Sequence, residues 1–79
     1  MEKNELSKLK WRCRQGIKEL DILLTHYLEL MYEQASIEEQ QTFQALLELP
    51  NIDLYAYLIE HEVSMDKKMQ TLVEKIRQL

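Results

Sequence analysis

The chain of 79 residues carries 10 Lys plus Arg against 14 Asp plus Glu, a net charge of -4 with a sequence pI near 5.1, and 46% of it is apolar. That apolar content argues against a disordered chain, and the length allows one domain at most. A single Gly, a single Pro and a single Cys exclude a disulfide scaffold, a paired-cysteine metal site and a glycine-rich phosphate cradle.

The breakers fall where helices should end. A first helix is expected from Asn4 to Gln15, with Gly16 supplying the permissive backbone that a helix end or tight turn needs. From Ile17 to Glu33 a second helix repeats apolar residues at Ile17, Leu20, Leu24, Tyr27, Leu28 and Met31. Ile22, Leu23 and Leu30 widen that stripe, so this helix should be central and packed on more than one side. Ser36 with Glu39 three residues on is a capping box, opening a third helix that runs to Leu49 with Phe43, Leu46 and Leu47 as its core residues. Pro50 and Asn51 break it, because the residue before a proline is disfavoured in the helical region.

A fourth helix, Ile52 to His61, should pack through Leu54, Tyr55, Leu58 and Ile59. Ser64 or Asp66 then caps a last helix whose Met65, Met69, Leu72, Ile76 and Leu79 form a narrow stripe. No segment alternates with period two and no hairpin signal occurs. The fold class is therefore all-α, a small single-domain bundle of five short helices over residues 1–79, with successive helices as neighbours across short connections.

Charge is distributed in blocks. Residues 1–18 carry six cations against two carboxylates, residues 19–63 carry ten carboxylates and no cation, and residues 64–79 carry four cations against two carboxylates. Such asymmetry orients a molecule on a partner of opposite pattern, or simply marks solvated helix faces. It suits nucleic acid poorly, since clustered Lys and Arg supply most of that affinity. No apolar run approaches the roughly 20 residues that span a bilayer, and the N-terminus lacks an apolar signal-peptide core. With a lone Cys13, which suits a reducing compartment, a cytoplasmic protein without direct membrane insertion is expected.

Chemistry-bearing groups are sparse. His26 and His61 are far apart in sequence and belong to no metal-ligand spacing, so no metal site is expected. Cys13 lies between Arg12 and Arg14, which would favour a thiolate, but a small apolar core residue is the simpler reading. Glu38 and Glu39 start a helix and complement its dipole. A chain this small offers little room for a deep cleft, and an independent enzyme is not expected. The turn is different. Between Trp11 and Asp21 the only Trp, the only Gly, several cations and the first two carboxylates of the acidic block crowd around one helix-helix connection, a two-signed tip with an aromatic beside it. Those are the makings of a protein-protein contact.

At these residues the sequence resembles a known family. Trp11-x-Cys13-Arg14-x-Gly16-Ile17-Lys18-Glu19-Leu20-Asp21 is similar to the W-x-C-R-R-G-M-R-E-L-D signature of the bacterial FAD assembly factors of succinate dehydrogenase, the SdhE type, related to the mitochondrial assembly factors. Phe43 to Glu48 resembles the family's F-x-x-L-L-E and Asp53 to Leu58 its D-L-F/Y-x-W-L, in the same order and over almost the whole chain.

The resemblance implies a small five-helix protein that binds the flavoprotein subunit of succinate dehydrogenase, and often that of fumarate reductase, and promotes covalent attachment of FAD to a His of that subunit. FAD then belongs to the partner, and no cofactor is held stably by this chain. The family's R-G-x-x-E motif falls on Gln15, Gly16 and Glu19. Gln15 stands where the family has Arg, removing one cation from the tip and leaving a donor without charge assistance, while Arg14 matches the other Arg of the pair. The expected partner-binding residues are Trp11, Arg14, Gln15, Gly16, Glu19 and Asp21, on a chain that is a monomer when free and has no catalytic residue. The rival readings are an adaptor or antitoxin-like helical protein with another partner, a carrier that delivers FAD itself, and a thiol redox protein using Cys13.

Overall fold

A computed structural model describes residues 3–13 and 16–79, with side chains from residue 7 onward. Five α-helices form, α1 Lys3–Arg12, α2 Lys18–Leu30, α3 Ile37–Leu47, α4 Asn51–Leu58 and α5 Lys67–Arg77, with a 3₁₀ turn at Tyr32–Gln34 between α2 and α3. The described residues contain no strand, and the all-α class with five short helices is the observed one.

Local chemistry explains most of the boundaries. The Ser36 hydroxyl accepts the Glu39 N–H at 3.1 Å and starts α3, the first half of the expected capping box, while the Glu39 carboxylate bonds to Tyr27 and Lys75. Of the two candidates for the last cap it is Asp66 that serves, its Oδ1 accepting from the Lys68 and Met69 backbone N–H groups at 2.9 and 3.3 Å. Ser64 plays a lesser part and accepts the Asp66 N–H at 3.2 Å. Met65 therefore lies outside α5 and is fully exposed, and Leu79 follows its end, so the expected stripe is shortened to Met69, Leu72 and Ile76, while Val73, which that stripe does not include, is fully buried beside them.

Other ends differ from the sequence pattern. α1 stops at Arg12 as a regular helix although the Cys13 N–H still bonds to the Leu9 carbonyl at 2.9 Å, and Gln15, its expected end, lies outside the described residues. α2 ends at Leu30, three residues short of the expected Glu33. Met31 leaves the helical region at φ -124°, and the offset swings Tyr32 fully into the core. The Gln40 amide then donates to the Tyr32 carbonyl at 2.7 Å and holds the turn. α3 stops two residues early, before Pro50. α4 ends at Leu58 because the chain turns back through His61 at φ 60°, with the Glu62 N–H reaching the Ala56 carbonyl at 2.9 Å.

Packing centres on α2 and α5. α5 lies against α2, α3 and α4, and α2 also meets α1 and α4, so the central position expected of α2 is shared with α5. Its stripe is narrower than expected: Leu20, Leu24, Tyr27 and Leu28 are buried, whereas Ile22 and Leu30 are 47% and 61% exposed. At 100° per residue Ile22 stands opposite Leu20 and Leu24, so one helix cannot bury both sets without a layer outside it. α4 packs through Leu54, Ala56 and Leu58, with Tyr55 and Ile59 only partly buried.

One polar knot ties three helices. Tyr27 donates its hydroxyl to Glu39 Oε2 at 2.5 Å, and Lys75 Nζ donates to Glu39 Oε1 at 2.6 Å, linking α2, α3 and α5. These two hydrogen bonds, that of Lys75 first, hold the Glu39 carboxyl below its usual range, and burial and the same carboxylate push the Tyr27 phenol up. Replacing Glu39 with Ala leaves the fully buried Tyr27 hydroxyl without its acceptor, at a cost of about 2 kcal/mol. For a domain of this size that lowers the melting temperature by roughly 10 °C. Because the carboxyl titrates lower in the folded chain than unfolded, its contribution is present at neutral pH and fades as pH falls through the folded value. Circular dichroism melts should therefore show wild type and variant differing at pH 7 and converging in strong acid.

Candidate functional site

The tip between α1 and α2 is built around Gly16. Its φ of 85° lies in the left-handed region that L side chains rarely adopt, and a Cβ placed there would meet nothing within 4 Å. Space is open above the turn. Trp11, in the last turn of α1, is 73% exposed, an unusual place for the largest aromatic side chain in the chain. Ile17 is the N-cap of α2 and supplies no side-chain acceptor, while Glu19 and Asp21 occupy the first turn and complement the helix dipole. Glu19 is exposed and Asp21 partly so.

The structure thus places Trp11, Gly16, Glu19 and Asp21 on or beside one helix-helix turn. Arg14 and Gln15, the other two expected contact residues, lie outside the described residues. Arg12, which the sequence presents only as a neighbour of the cysteine, anchors the end of α1 to α3: its guanidinium donates to the Gln44 carbonyl at 3.5 Å and lies 3.9 Å from Glu48 Oε1. That partner is distant in sequence, and no local pattern announces it.

Cys13 is fully buried. Burial first, then the nearby Asp21 carboxylate, push its thiol up to about 12 against a smaller opposing effect of Arg12. Burial and the raised thiol both favour the protonated form, which suits the small core residue expected from the sequence. Among the described residues no three of His, Cys, Asp and Glu converge to hold a metal, and no helix is long and apolar enough to cross a membrane.

Two of the openings lined by described residues bear on the site. One lies between the starts of α3 and α5 and is crossed by the Lys68–Glu38 ion pair at 3.1 Å. The other is a shallow groove on α2 lined by Asp21, Ile22, Thr25, His26 and Glu29, and it adjoins the tip through Asp21. Ile22 and His26 in this groove are not among the expected contacts. The signal for them is present in the helical angle, which sets Ile22 opposite the buried stripe.

The described part of the tip is an exposed turn that carries Trp11, Lys18 and Glu19 on a small helical bundle, the surface of a binding protein. Residues 7–79 match the model of the family described as flavinator of succinate dehydrogenase. The FAD assembly factor SdhE of Colwellia psychrerythraea is 36% identical over 70 residues, covering 89% of this chain and 77% of that protein. The SdhE of Shewanella oneidensis is 32% identical over 77 residues, 98% of this chain and 94% of its own length. That of Xylella fastidiosa is 38% identical over 78 residues, 99% and 80% respectively. The chain belongs to the succinate dehydrogenase flavinator family.

Proposed function

We propose that the chain binds the flavoprotein subunit of succinate dehydrogenase through the turn at Gly16 and promotes covalent attachment of FAD to a His of that subunit, without supplying a catalytic group. Membership of the flavinator family supports the process, and the open, glycine-centred turn between exposed Trp11 and Glu19 supports the place. FAD stays with the partner throughout. The chain acts in the cytoplasm as a monomer, and the flavoprotein subunit of fumarate reductase is a second client.

The physical basis is a population shift. Flavinylation proceeds once the His and the flavin methyl group are held in register, and a helper that binds that arrangement better than the open one raises its share by the ratio of the two affinities. No proton transfer or nucleophile on this chain is required. Glu19 and Asp21 supply fixed negative charge at the tip, where a cationic group of the partner pairs with them. Trp11 offers apolar area at low entropy cost.

In cells lacking this chain, in-gel flavin fluorescence of the denatured succinate dehydrogenase flavoprotein subunit should fall sharply. It should be restored by the wild-type chain and not by Glu19→Ala expressed at the same low level. Glu19 is exposed, so the variant should stay folded. Fluorescence unchanged by the deletion would return the chain to the adaptor reading.

A further inference from the structure

We propose that the outward face of α2, centred on Ile22 and His26, is a second contact surface that takes an apolar side chain and flanking Lys or Arg side chains of the flavoprotein subunit. This rests on the reading above and extends the contact from the turn along the helix.

Ile22, His26 and Glu29 follow at spacings of four and three, and so share one line along α2. That line is opposite Leu20, Leu24, Tyr27 and Leu28, which face the core. Asp21 and Thr25 complete a shallow groove beside it. A β-branched apolar residue almost half exposed among polar neighbours gains nothing for the isolated bundle. It gains once a partner covers it.

Charge decides what kind of partner fits. Lys18, in the first turn of α2, is the last cation before Lys67. Along the face Glu19, Asp21 and Glu29 outnumber it, and Lys10 of α1 reaches Glu29 at 3.4 Å, at the far end of the groove. The carboxylates sit mainly at the end nearer Gly16, so a bound segment would set its cations there and its apolar side chain on Ile22. Complementary charges of this kind fix register and speed encounter, and the apolar anchor supplies the residence time. Because the groove begins at Asp21, one continuous partner surface reaches both it and the turn.

The test is calorimetric titration of the purified flavoprotein subunit, loaded with non-covalent FAD, with wild type, Ile22→Arg and Val63→Arg. Val63 is more exposed than Ile22 and lies in the connection after α4, not on α2. Ile22→Arg should weaken binding about tenfold or more, Val63→Arg should match wild type, and wild-type affinity should fall with added salt. Both variants change exposed positions, and their melts should stay close to wild type. Wild type that binds, with Ile22→Arg binding as well, would overturn the second contact and leave the turn in place. Wild type that fails to bind would overturn the functional reading itself. A concentration-dependent dimer of the chain alone, abolished by Ile22→Arg, would assign the face to a second copy and overturn its assignment to the flavoprotein.

Discussion

Phe43→Ala should leave the chain largely unfolded at 37 °C. Phe43 is fully buried, with its ring centroid 4.6 Å from that of Tyr27 and 5.5 Å from that of Tyr32, so it is the middle of the only three-ring cluster among the described residues. Truncating a buried Phe costs about 3 to 5 kcal/mol, through lost transfer energy and the cavity left behind. A single small core rarely supplies more than about 3 to 5 kcal/mol in total. The two figures are of one size, and the folded state loses its margin. Phe43→Leu keeps most of the volume and should cost about 1.5 kcal/mol, a shift of several degrees. Thermal melts followed by far-ultraviolet circular dichroism separate the cases. A cooperative Phe43→Ala transition within a few degrees of wild type would mean that the rings do not hold the bundle together.

That cluster also shows what the sequence discloses and what it does not. Phe43 follows from periodicity inside a capped helix, and Tyr27 from the stripe of α2. Tyr32 does not follow, because it reaches the core only after the backbone leaves the helix at Met31, and a uniform 3.6-residue period cannot show such an offset. Glu39 is legible as a helix-start residue, yet its ties to Tyr27 and Lys75 depend on helices distant in sequence. Ile22 departs in the opposite sense: its apolar character suggests burial, but the helix has only one face to bury and leaves it outside. At the tip Trp11, Gly16, Glu19 and Asp21 are legible together, because a turn forced by one glycine brings near neighbours into one place. The open space above Gly16 is not legible, since it is a property of the surrounding surface.

That open space makes a sharp prediction about Gly16 possible. In the isolated chain a Cβ here meets nothing within 4 Å, so the main cost is the backbone: φ of 85° disfavours an L-residue by about 1 to 2 kcal/mol, least for Asn, whose short polar side chain tolerates the left-handed region. A β-branched Val suffers most. Gly16→Asn should therefore melt within a few degrees of wild type, and Gly16→Val noticeably lower. A partner that closes over the turn changes the comparison, because backbone approached at van der Waals distance leaves no room for any side chain. Covalent flavin on the flavoprotein subunit, at limiting factor, should then fall at least about tenfold with Gly16→Asn, the size of effect expected at the centre of a protein-protein interface. The two readouts part company in this variant: stability follows the conformation of the free turn, flavinylation follows what lies against it. Gly16→Asn with wild-type flavinylation would mean that the glycine serves the turn alone, and binding would then have to be carried by side chains such as Glu19 and Trp11 rather than by the backbone between them.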